Sequence, residues 1–138
     1  MAAAHGVDAD GPRFALETEI LYKAHSYAAA LGRGAEAFAL GERAPAFLSY
    51  AAQAAIWERD LAETGRFLDA LDQALLSEPS LGVSWGDYVQ ELRAFEADLK
   101  AERQDVDRAV ARGRWIAGGL GLMMLIGMAL ALPRRRLD

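Results

Sequence analysis

Side chains able to do chemistry are sparse in this sequence. Its 138 residues include two His, 20 Asp+Glu and no Cys. Without a thiol there is no disulfide framework, no thiolate metal site and no Cys nucleophile. His5 lies in an N-terminal segment read as mobile, and His25 has no other His within helix-face spacing. A di-iron bundle needs a Glu-x-x-His motif on each of two helices, and neither His ends one. A Gly-rich phosphate loop, a G-x-S-x-G elbow and a His/Ser/Asp grouping are all missing. Glu17 and Glu19 fall in the first turns of an expected helix, where the macrodipole favours carboxylates without any catalytic role. The expectation is a non-enzymatic protein with no metal, cofactor or small-molecule substrate.

The charge balance narrows the partners. With 15 Lys+Arg the chain carries a net charge of −5, the wrong sign for neutralising phosphates, so nucleic acid is not an expected partner. The charge is also uneven. Residues 1–99 hold 7 basic and 16 acidic side chains, whereas residues 100–114 hold 5 and 3.

From Trp115 to Leu132 the sequence runs without a charged or polar side chain, and as a helix this stretch reaches about 27 Å, the depth of a hydrocarbon core. Trp115 suits the headgroup level at one side. Pro133 with Arg134, Arg135 and Arg136 closes the other with a helix stop and cations. The span is expected over 113–133, with 134–138 as a basic tail. Arg108, Arg112 and Arg114 join the interfacial set, and such a collar is attracted to anionic headgroups at about 1 kcal/mol per cation. The start of the chain reads as neither a signal peptide nor an anchor. The N-terminal domain is therefore expected in the cytoplasm, with a single C-terminal anchor in the bilayer. The Lys/Arg count, five before the span and three after it, gives that orientation only a small bias.

The elements ahead of the span follow from periodicity. Phe47, Tyr50, Ala54, Trp57, Leu61, Thr64, Leu68, Leu71 and Leu75 keep an unbroken 3-4 spacing, which predicts one helix over 45–76 beginning at Pro45. Gly65 weakens its middle by about 1 kcal/mol. A second stripe, through Trp85, Tyr88, Leu92, Phe95, Leu99, Val106 and Ala109, predicts a helix over 84–112 that passes through Gly113 into the membrane segment. A less regular run predicts a helix over 13–40, with Gly32-Arg33-Gly34 as its weak point and 1–12 as a mobile N-terminus. The expected fold is all-α: an up-down-up three-helix bundle over 13–112 whose third helix continues into a single C-terminal transmembrane helix. Helices of that length would rise about 45 Å.

A competing pattern is local. The stretch LDALDQALLSEP at 68–79 resembles the closing half of a tetratricopeptide unit, with Ala74 and Pro79 at matching offsets. The resemblance implies a helical hairpin here. It does not extend to Phe67, where that repeat takes a small residue, or to the preceding helix.

Two groups of residues are candidates for contact with partners. Trp85 and Tyr88 are the aromatics expected to face a partner rather than the core. Gly113, Ala117 and Gly121, with Gly127 and Ala131, recur at four-residue intervals and allow close helix approach in lipid. The expected role is an accessory, anchoring or scaffold subunit of a larger membrane complex, held by helix-helix packing. The alternative is a self-associating membrane effector, tether or fission/fusion-type regulator.

Overall fold

The computed structural model describes the backbone of residues 10–131 and the side chains of residues 10–126. The described residues form five α-helices and no strand: α1 (Asp10–Lys23), α2 (Tyr27–Ala39), α3 (Pro45–Trp57), α4 (Leu61–Ser77) and α5 (Pro79–Ala131). The chain divides into two compact units after Lys100, so α5 contributes to both.

The helices expected over 13–40 and 45–76 are each broken in two, which replaces two long rods by two short hairpins. The breaks are at Ala24-His25-Ser26 and at Glu58-Arg59-Asp60. At the first, His25 adopts a left-handed conformation with φ +59°. The Ser26 N–H donates to the Leu21 carbonyl and the His25 N–H to that of Tyr22. This is the Schellman closure of a helix end. Arg59, φ +57°, closes α3 in the same way, with Asp60 N–H donating to Ala55 and Arg59 N–H to Ile56. Gly41, φ +92°, closes α2 likewise. Glycine is the usual residue at this position. At two of the three caps the chain uses His and Arg instead, so the apolar periodicity passes through without a visible stop. A left-handed residue with a Cβ costs about 1 kcal/mol, so His25→Gly should raise stability by about 0.5–1 kcal/mol, measured as a shifted denaturation midpoint.

The second hairpin also carries a start signal. Asp60 caps α4, its carboxylate accepting from the Glu63 N–H at 3.1 Å. Asp-x-x-Glu ahead of an apolar run is an N-terminus signature, here embedded within an uninterrupted stripe. Gly32-Arg33-Gly34 does not break anything; it lies inside α2. Asp10 to Pro12 belong to α1 rather than to the segment ahead of it.

The two hairpins repeat. His25 and Arg59 are 34 residues apart, as are the first residues of α2 and α4. The buried Thr18, Ala30, Gly34 and Ala37 recur after the same interval as the buried Ala52, Thr64, Leu68 and Leu71. Helix α1 packs on α2 and on α3, α2 packs on α3, and α3 packs on α4. The resulting stack resembles a two-unit helical repeat, in which each hairpin buries its apolar side on the next. The core centres on Leu48, Phe67, Leu68 and Leu71, fully buried, with Val89 and Leu92 from α5 joining them. Ala51, Ala52, Ala54 and Ala55 are also fully buried, and four such small residues on α3 allow its neighbours to approach closely.

From Ala101 to Ile126 every described side chain of α5 is exposed. This part of α5 includes a stretch long and apolar enough to cross a membrane.

Candidate functional site

Two surfaces stand open among the described residues. The first lies in the unit formed by residues 10–100. The stripe that predicts Trp57 as a core residue is interrupted by the turn after it, and Trp57 is 61% exposed. Its indole stacks on the Tyr27 ring at a centroid distance of 5.1 Å and an angle of 7°. Tyr22 lies 5.4 Å from both Tyr27 and Tyr50, and its hydroxyl donates to Gln53 Oε1 at 2.8 Å. Gln53 Nε2 donates to the Ser49 carbonyl at 3.2 Å. These contacts tie α1 and α2 to α3 and hold the aromatic rings in place.

Beside this cluster is a groove of about 430 Å³ with Ile56, Leu92 and Leu99 along it and the Trp57 and Phe95 rings at its edge. Phe95, expected in the core, is 48% exposed. Trp85 and Tyr88, expected to face a partner, pack edge to face at 5.9 Å. They line a separate shallow groove with Ser49 and Tyr50. Both are partly buried, so they are less available than Trp57. Burial raises the Tyr88 hydroxyl above the usual tyrosine range. Periodicity could not have singled out Trp57 and Phe95, because each sits in phase with buried residues.

An ion-pair network holds α5 against α4 next to these surfaces. Arg93 donates to Asp69 at 2.8 Å, to Asp72, and to the buried Glu96 at 2.7 Å; Lys100 reaches Glu96 at 3.0 Å. Burial pushes the Glu96 carboxyl up, but the hydrogen bonds from Arg93 and Lys100 outweigh it and hold the group below its ordinary range. Burial likewise works against the Arg93 charge, and its bonds to Asp72, Glu96 and Asp69 keep that pKa raised. A Cβ at Gly65 would stand 3.4 Å from Glu96 Oε1, an ordinary contact.

The second surface lies in the unit after Lys100. Arg108, Arg112, Arg114 and Trp115 are exposed, and Arg108 is 3.7 Å from Asp105. Gly113, Ala117 and Gly121 are exposed too, and a Cβ added at Gly113 or Gly121 meets nothing. The side chains of Gly127 and Ala131, together with Arg134, Arg135 and Arg136, lie outside the described residues, as does His5.

The other candidate groups are accounted for locally. Glu17 pairs with Arg13 and Arg33, and Glu19 with Lys23. His25 is exposed, its Nδ1 lying 2.7 Å from the Tyr27 hydroxyl. Among the described residues no three of His, Asp and Glu converge on a point that could hold a metal ion. No family model, curated protein or solved structure matches this chain.

Proposed function

We propose that this is a non-enzymatic single-span membrane protein that serves as an accessory, anchoring or scaffold subunit of a larger membrane complex. The observation that carries the reading is the contrast along α5. Residues up to Leu92 contribute to a closed core, whereas residues 101–126 are uncovered and apolar from Trp115 onward. An uncovered apolar helix of this length calls for lipid and for other helices in it. The helical unit ahead of the span faces the cytoplasm, with Arg108, Arg112 and Arg114 at the anionic headgroups.

A self-associating effector or tether is the second reading, favoured by the open face at Gly113 and Gly121. Tagging the N-terminus, solubilising native membranes in mild detergent and weighing what copurifies decides between them. A stoichiometric heteromeric assembly supports the subunit reading, and a homo-oligomer with no companion supports the second. Gly121→Leu places a bulky side chain on the packing face. It should release the heteromeric partner in the first case and dissolve the homo-oligomer in the second, read as an altered mass by light scattering. An unchanged mass in both would remove helix packing at this face from either reading.

A further inference from the structure

We propose that the groove edged by Trp57 and Phe95 binds a basic amphipathic helix of a partner protein, an inference that rests on the subunit reading above and supplies the chemistry of one docking contact. The groove is apolar along its length at Ile56, Leu92 and Leu99. Two large rings stand exposed at its edge, one of them, Trp57, stacked on Tyr27. A groove of this kind accepts the apolar face of a helix through residues at i, i+3, i+4 and i+7.

The flanking charge selects the occupant. Glu91, Phe95 and Asp98 occupy one face of α5, four and three residues apart in turn. Glu58 follows Trp57 directly. All three carboxylates are exposed and pair with no Lys or Arg among the described residues. Arg59 also lines the groove and has an interaction of its own within the chain. Residues 1–99 together hold 16 acidic side chains against 7 basic ones. A second copy would present the same acidic surface and be repelled, and so would an anionic headgroup. A helix with Lys or Arg beside its apolar face meets the carboxylates of Glu91 and Asp98 along α5 and of Glu58 next to Trp57.

The test uses the full chain in a non-ionic detergent and two fluorescent helical peptides, with Leu at i, i+3, i+4 and i+7 and either Lys or Glu elsewhere, read by anisotropy after subtracting empty micelles. The Lys peptide should bind saturably at one per chain, and the Glu peptide should not. Glu91→Lys with Asp98→Lys should weaken the Lys peptide about tenfold and admit the Glu peptide. Phe95→Ser, checked for an unchanged circular dichroism spectrum, should weaken the Lys peptide comparably. Unsaturable binding, or equal binding to the double variant, overturns the proposal. So does a dimer in the wild type that Phe95→Ser dissociates, since the groove then holds a second copy. Copurification separates this inference from the reading beneath it. If the double variant brings down the same assembly as the wild type, the groove assignment fails and the subunit reading stands. If the wild type brings down no partner yet discriminates the peptides as described, the subunit reading fails and the groove assignment stands.

Discussion

Gly34→Leu should unfold or severely loosen the two hairpins, at a cost of about 3 kcal/mol or more, while Gly32→Ala should be neutral to stabilising. Both glycines lie inside α2, two residues apart. A Cβ at Gly34 would stand 3.1 Å from the Ala51 Cβ and 3.5 Å from Thr18 Cγ2, whereas a Cβ at Gly32 meets nothing. Gly34 is therefore where α2 crosses both α1 and α3 at close range. A leucine there overpacks the crossing against Ala51, and overpacking with the off-rotamer side chains and backbone shifts it forces typically costs about 1–3 kcal/mol, occasionally more. At Gly32 only the helix propensity changes, which favours alanine by about 1 kcal/mol. Chemical denaturation of the full chain in detergent, followed by circular dichroism, gives both numbers. Equal effects at the two positions would contradict the close crossing.

Removing Arg93 should cost about 2 kcal/mol and should alter how stability depends on pH. Arg93 is two-thirds buried at its side chain and serves three carboxylates, of which Glu96 is nearly inaccessible to solvent. Breaking a fully buried pair costs about 3–5 kcal/mol, and the partial exposure of Arg93, Asp69 and Asp72 reduces the figure here. The sign of the pH effect follows from the direction of the Glu96 shift. Its folded pKa lies below the ordinary 4.5, so the folded state binds that proton less readily than the unfolded chain. The stability it contributes is fully present above pH 4.5 and is lost as pH falls through the lower folded value. Glu96→Gln cannot titrate. Its stability should sit below that of the wild type at neutral pH, and the gap should close on acidification. A gap that stays constant down to pH 3 would show that the network contributes nothing through the Glu96 charge.

These two sites bear on the proposed docking groove because they lie in the helices that carry Trp57 and Phe95 or pack against them. Gly34 lets α2 approach Ala51 of α3 closely, and Tyr27 and Trp57 of the same two helices stack on each other. Arg93 lies two residues from Phe95 and binds Asp69 and Asp72 of α4. Loss of either should therefore weaken binding of the Lys peptide proposed for the groove without touching a groove residue.

The amino-acid sequence by itself determined the helical class, the apolar C-terminal stretch and part of the core. Phe47, Leu68, Leu71 and Leu92 read as buried from spacing alone, because a 3-4 pattern marks one face of any helix they occupy. The same pattern cannot report whether that helix is continuous. A reversal preserves the phase when the turn takes three residues, as it does around His25 and Arg59. Among the described residues the usual marker, glycine in the left-handed position, is present only at Gly41. The short tetratricopeptide-like stretch at 68–79 points to a hairpin, and the Asp60 cap with Glu63 becomes legible as the start of its second helix only once the turn at Arg59 is seen. The unbroken stripe through Trp57, Leu61 and Thr64 predicts a single helix across that turn.

Tertiary structure alone decided the rest. It turned Trp57 and Phe95 outward by folding the chain back just after one and opening a groove beside the other. It joined Arg93 to carboxylates 21 and 24 residues away, a pairing that no local spacing encodes. It also gave Gly34 a role opposite to the one its neighbours imply. Glycine in a helix weakens it when the helix stands alone, but becomes necessary when another helix must pass within 3.1 Å of its missing side chain. Periodicity records which face a residue shares with its own helix, and only the fold records what stands opposite that face.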